Sequence, residues 1–277
     1  MDDPTAEIER RLDASETLLA DLEGRLAQMQ SGDLGVSSKS NDLDLVTRAD
    51  YESERRWVSF IREHFPEDGI VTEEGGASEA EGSREARFRW VVDPIDGTVN
   101  YAHGIPFWCV SVGLLSGDER VGGIVSAPAL GERFRARRGG GATLNGRACA
   151  VNALQPLRAG VVGTGFPYDR DKRAEPIARA AANMLRQAGG LRRLGSAALD
   201  ACYVAAGRFS GYYEMALKAW DTAASTLIAE EAGARVTDFE GAPHRIFDSS
   251  GVVVSNGLVH DELIAAVEPM REAVVMG

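Results

Sequence analysis

One short stretch constrains this chain more than any other: Trp90-Val91-Val92-Asp93-Pro94-Ile95-Asp96-Gly97-Thr98. Phe88, Trp90 and Val92 alternate with Arg89 and Val91 as a strand, and that strand delivers Asp93 into a turn set by Pro94. A second carboxylate, Asp96, follows three residues after the first. Gly97 permits close backbone approach, N–H groups opening a helix beyond it would form an anion site, and Thr98 adds a hydroxyl. Asp-Pro and Asp-Gly are each ordinary turn dipeptides; the combined string is not. Carboxylates beside an anion cradle make electrostatic sense only with cations between them, because bare carboxylates repel phosphate.

Other segments supply candidates of the same kind. Glu73-Glu74 ends the apolar run Ile70-Val71-Thr72 and offers further hard oxygen ligands, which magnesium takes together with water and substrate phosphate. Glu214 and Asp221 close off Met215 to Trp220. Asp221 occupies an N-cap position before the helical run Thr222 to Glu231, a role compatible with turning its outer oxygen to a metal. Gly195-Ser196-Ala197 stands at a strand-to-helix junction and either caps the helix or presents N–H groups and a hydroxyl to a ligand. No Ser-His-Asp or Cys-His arrangement is visible, and the glycines at 139–141 do not continue into a Walker loop. None of the histidines has zinc-ligand spacing; His103, seven residues after Asp96, is a candidate for a supporting role. The basic run Arg133, Arg135, Arg137 and Arg138 reads as a solvated strand face.

The charge balance narrows the class. Thirty basic against 42 acidic side chains leave a net charge of −12, which argues against nucleic acid or an anionic membrane as partner. Three cysteines, Cys109, Cys149 and Cys202, make neither a disulfide framework nor a metal site, and read as buried thiols in a reducing cytoplasm. No signal for export and no membrane span is visible. Helices are expected over about 5–30, 50–64, 174–188, 196–206, 222–232 and 258–267, and strands near 88–92, 107–115, 133–137, 161–164, 191–194, 211–215 and 252–255. That mixture, without an internal repeat, predicts an α/β or α+β layered protein. It is one domain of 277 residues with lobes of about 1–153 and 154–277; the polar stretch 75–86 is a surface linker.

The string DPIDGTVNYAHGIPFWCVSVG at 93–113 resembles the signature of the inositol monophosphatase family of magnesium-dependent phosphatases. Glu73-Glu74 upstream and WDTAASTLIAEEAGA at 220–234 are similar to its other two signatures. KSNDLDLVTRAD at 39–50, LGSAALD at 194–200 and YYEMALKAWD at 212–221 also fit. The resemblance implies an αβαβα sandwich of the kind shared with fructose-1,6-bisphosphatases, a homodimer, and hydrolysis of a small phosphate monoester by metal-activated water. Carried over, Glu73, Asp93 and the Ile95 carbonyl hold a first Mg²⁺, Asp93, Asp96 and Asp221 a second, and a third, weaker ion sits near Glu73 and Glu74. Thr98, hydrogen-bonded to Asp50, orients the attacking water, and the Gly97 and Thr98 N–H groups hold phosphate. Gly195, Ser196, Ala197 and Glu214 contact the alcohol part. Asp96 and Asp221 also border the substrate. Myo-inositol monophosphate is the foremost substrate; histidinol phosphate, fructose 1,6-bisphosphate, phosphoadenosine phosphate and NADP are alternatives. In another class, the fold serves as a non-catalytic regulatory protein in RNA metabolism. Ser225, Ala234 and Lys218 depart from the family pattern, as does the length of the 75–86 stretch.

Overall fold

The structure, a computed structural model, describes residues 4–75, 86–248 and 251–275. Apart from its two end residues, the stretch expected as a surface linker over 75–86 lies outside the described residues. Helix α1 (Pro4–Gln30) obeys its three-and-four spacing, burying Leu12, Leu19, Leu22 and Leu26. A small ribbon of β1 (Ser37–Ser38) and β2 (Leu45–Val46) leads into α2 (Arg48–His64). β3 (Gly69–Thr72) pairs in parallel with β4 (Phe88–Asp96), which runs into the short α3 (Thr98–Ala102). β5 (Cys109–Ser116), β6 (Glu119–Ala127), β7 (Glu132–Arg137), β8 (Gly141–Leu144) and β9 (Arg147–Ala148) continue as an antiparallel meander. Together they form a seven-stranded sheet, ordered β3-β4-β5-β6-β7-β8-β9.

The rest of the chain alternates. β10 (Val161–Thr164), α4 (Ala174–Gln187), β11 (Gly190–Arg192), α5 (Ala197–Ala205) and β12 (Gly211–Glu214) come first. They are followed by α6 (Ala219–Glu231), β13 (Arg235–Thr237), β14 (Val252–Ser255), α7 (His260–Ala266) and α8 (Met270–Val275). The five strands make a mixed sheet, ordered β11-β10-β12-β14-β13. Helices α1 and α2 cover the outer face of the larger sheet, α5 and α6 lie between the sheets, and α4, α7 and α8 cover the outside of the smaller one. The expected αβαβα order is what the chain adopts. Its cores follow the layers: Trp57, Trp90 and Trp108 under α1 and α2, Phe134, Tyr212 and Leu227 in the middle, Met184, Tyr213 and Leu263 outside. Adjacent Tyr212 and Tyr213 thus face opposite layers, as the strand period of two requires.

Two sequence expectations change. The Arg133–Arg137 strand is not an open solvated face: Arg133 pairs with Glu23 (2.5 Å), Arg135 with Glu9 (2.6 Å) and Asp13 (2.7 Å), and Arg137 with Glu9 (2.7 Å). A run of arginines on β7 therefore straps α1 to the sheet, and part of the acid surplus is used there. Strand β6 escaped pattern reading because Gly122 and Gly123 interrupt its apolar run. Those glycines have a packing cause. Gly113 of β5 lies opposite Gly123 of β6, and a Cβ on either would meet α6, at 2.6 Å from Ala223 Cβ and 2.9 Å from Ala224 Cα. The glycine pair forms a trough in which α6, the helix carrying Asp221, approaches the sheet closely. Gly123→Val is expected to cost about 1–3 kcal/mol by overpacking, read as a lower urea midpoint at an unchanged slope.

Candidate metal and phosphate site

The site begins with an irregularity in β4. Asp93 pairs with Ser111 and Asp96 with Cys109, so three steps on one strand match two on the other. Residues three apart in a regular strand point to opposite faces; one extra residue, placed where Pro94 cannot donate to the ladder, turns both aspartates to the same side. Asp93 Oδ1 accepts the Ile95 N–H at 3.0 Å and locks that turn. Gly97, at φ 92°, caps α3; a Cβ there would press on the Phe107 and Gly195 carbonyls at 3.1 Å. Asn100 ties the same turn to its neighbours, donating to Phe107 O (2.6 Å) and Leu194 O (2.8 Å).

Helix N-termini hold Asp50, Asp96 and Asp221. Thr47 caps α2, and Asp50, its third residue, returns to accept from the Thr47 N–H (2.8 Å) and hydroxyl (2.6 Å). Asp50 Oδ1 also lies 3.0 Å from Thr98 Oγ1, which is itself 2.9 Å from Ile95 O. Asp96 accepts from Ser196 Oγ (2.6 Å) and from the Ala198 (2.7 Å) and Ala197 (3.3 Å) N–H groups that open α5. Asp221 is the third residue of α6 rather than its N-cap: the helix starts at Ala219, and Asp221 Oδ2 accepts the Lys218 N–H at 2.6 Å. The sequence reading put the start too late because Ala219 and Trp220 showed no capping residue before them.

Asp93, Asp96 and Asp221 converge, each offering an oxygen within 4.8 Å of the others. Burial, and then the charges of Glu73, Asp96 and Asp221, push the Asp93 carboxyl well above the usual range. Burial, and then Asp96, does the same to Asp221. Asp96 is raised less directly, since its burial is opposed by the Ser196, Ala198 and Ala197 donors. Lys39 answers part of this charge. It lies 2.6 Å from Glu73 Oε1 and also contacts Glu74, and although burial opposes its charge, the two glutamates raise the ammonium above its ordinary value. Such a group of hard oxygens, buried at Asp93 and Asp96 and half-buried at Asp221, fits a divalent cation: it has the right donors, and their mutual repulsion is what a cation would relieve.

Glu73, Asp93, Ile95, Asp96, Gly97, Thr98, Gly195, Ala197, Glu214 and Asp221 all line one cleft of about 770 Å³. Glu74 stands behind Lys39 and Asp50 behind Thr98. Ser196 sits deeper, its hydroxyl on Asp96. Glu214 is buried, and burial raises its carboxyl to about 7 against the hydrogen bond from Tyr212 and the charge of Arg193. His103 is exposed, with Nδ1 2.9 Å from Val99 O in its own turn. Several participants carried no sequence signal as single residues: Lys39, Asn100, Cys109, whose thiol reaches Asp96 at 3.8 Å, and Tyr168 and Arg193 on the cleft wall. Only the position of Lys39 at the head of the 39–50 motif pointed to it.

The family model described as "Inositol monophosphatase family" matches residues 5–272. The chain belongs to the inositol monophosphatase family. Among its family relatives, "Nus factor SuhB" of Pasteurella multocida is 39% identical over 86% of this chain and 87% of its own. "Inositol-1-monophosphatase" of Mesorhizobium japonicum is 39% identical over 81% and 83%. The solved inositol monophosphatase (IMPase) of Thermotoga maritima superimposes with a TM-score of 0.85, at 35% identity over 96% of this chain and 99% of that one. More distant structures, 22% and 21% identical with TM-scores of 0.82, share the fold and are described as an IMPase/NADP phosphatase complexed with NADP and Ca²⁺, and with Mg²⁺ and phosphate.

The repulsion among the family carboxylates has a measurable sign. A carboxyl raised in the folded state favours folding fully below its unfolded pKa and loses that contribution as pH rises through the folded value. The contribution of these carboxyls to the melting temperature of the metal-free chain is therefore expected to fall as pH rises above the unfolded aspartate value of 3.8. Asp93→Asn is expected to shrink the fall, and added Mg²⁺ to offset it. Melting curves from pH 4 to 9 measure this; superimposable profiles for both proteins would contradict it.

Proposed function

We propose that this chain is a Mg²⁺-dependent phosphatase of small phosphate monoesters, with myo-inositol monophosphate as the foremost substrate. The observation that carries the reading is the convergence of Asp93, Asp96 and Asp221 beside the Gly97-Thr98 turn in a single cleft. Family membership and the Mg²⁺- and Ca²⁺-containing structures of the same fold support it. Glu73, Asp93 and the Ile95 carbonyl would hold one ion, Asp93, Asp96 and Asp221 a second, and Glu73 with Glu74 a weaker third in competition with Lys39. When bound, such ions acidify water, clamp phosphoryl oxygens and stabilise a departing alkoxide.

The chain's own groups do the rest. The Gly97 and Thr98 N–H groups receive the phosphate. Thr98 Oγ1 gives its proton to the Asp50 hydrogen bond, leaving its lone pairs to accept from a water in the cleft. Asp50 is pushed up by burial and drawn down by its Thr47 and Thr98 donors, a balance suited to holding that hydrogen bond. Gly195, Ala197 and Glu214 border the alcohol part, while Ser196 acts through Asp96. Histidinol phosphate, fructose 1,6-bisphosphate, phosphoadenosine phosphate and NADP remain alternative substrates of the same chemistry.

One observation favours a second reading: the Pasteurella multocida relative is named a Nus factor, so the fold can be kept for work through a partner. The net charge of −12 sets a protein partner above nucleic acid in that case. Phosphate release from a panel of monoesters separates the readings. Asp93→Asn is expected to lower turnover at least about a hundredfold, and chelator to abolish it. Undiminished turnover in that variant would sink the metal assignment. Absence of turnover on every monoester, with a stoichiometric partner captured equally by both proteins, would favour the second reading.

A further inference from the structure

Glu214 lines the cleft at the end of β12, where one neighbour bonds its carboxylate and another leaves room for it. Tyr212, fully buried two residues earlier on the same strand face, donates its phenol hydrogen to Glu214 Oε2 at 2.6 Å. Gly165 follows β10, whose Thr164 pairs with Tyr213 of β12, so its Cα lies beside Glu214. A Cβ at position 165 would fall 2.0 Å from Oε2 and 2.1 Å from both Cδ and Oε1. The carboxylate fills the space a side chain would need. Gly165 is not in the left-handed region, so its backbone could belong to any residue; it is space, not conformation, that requires glycine here.

We propose that Tyr212 and Gly165 are positioning residues that hold Glu214 as a reader of substrate hydroxyls, making this chain selective for phosphates of polyhydroxylated alcohols. The inference rests on the reading of Glu214 as a neighbour of the alcohol part. With Oε2 committed to Tyr212, Oε1 is left to accept from a substrate hydroxyl, and a fixed acceptor loses little freedom on binding. A hydrogen bond of this kind discriminates, because a substrate lacking the hydroxyl leaves a buried polar oxygen unpaired.

The test compares myo-inositol monophosphate with nitrophenyl phosphate, whose alcohol part bears no hydroxyl group, using the full chain with Mg²⁺. Tyr212→Phe is expected to raise KM for the inositol substrate about tenfold with kcat little changed, and to leave nitrophenyl phosphate within about twofold. Gly165→Ala should act in the same sense, and add nothing to the selectivity ratio in a Glu214→Ala background. If Glu214→Ala leaves the ratio between substrates unchanged, the underlying reading of Glu214 fails. If Glu214→Ala lowers the ratio but Tyr212→Phe and Gly165→Ala do not, or if they impair both substrates equally, the positioning role is overturned. Should Gly165→Ala fail to fold by melting analysis, Tyr212→Phe decides alone.

Discussion

The structure depends on the repulsion among carboxylates gathered in one cleft. Left in a low-dielectric wall, Asp93, Asp96 and Asp221 would drive one another apart or take up protons. The fold meets this with oriented donors. The first turns of α2, α5 and α6 each direct N–H groups or a capping hydroxyl at one aspartate, and Lys39 adds a full charge between Glu73 and Glu74. Asp50 and Asp96 accept on both oxygens, and Asp221 accepts the Lys218 N–H on Oδ2. The result is a site charged enough to recruit cations and supported enough to survive without them.

That arrangement explains the architecture around it. A bulge at Pro94 is needed for two aspartates on one strand to share a face. A glycine trough in β5 and β6 is needed for α6 to bring its aspartate down to them. The arginine straps from β7 to α1 sit on the far face of the same sheet, where individually weak pairs act as a group.

The family signature was legible because it is local: Asp93, Pro94, Asp96, Gly97 and Thr98 fall within six consecutive residues, and the carboxylates beside a glycine turn stand out in that order. The long helix α1, with its strict spacing, was equally plain. What escaped was long-range. β6 lost its apolar pattern to glycines whose reasons lie about a hundred residues away, Gly122 against Leu12 of α1 and Gly123 against Ala224 of α6. Asp221 was placed one turn early in its helix because the cap lies in the backbone of Lys218 and not in a side chain. Lys39, Asn100 and Cys109 lie inside the quoted motifs, but contacts between separate elements give them their partners, so no spacing rule singles out the individual residues.

The middle layer has a wider consequence. Helix α6 packs on the larger sheet while touching β13 of the smaller, and α5 contacts both as well. Asp96 belongs to one sheet, whereas its Ser196, Ala197 and Ala198 donors open α5, wedged between the two. The cleft is thus a joint as well as a binding site: the gap between its carboxylates gauges how the two sheets are seated. A cation held there would bridge the layers of the sandwich, so its binding and the seating of one sheet on the other would be linked.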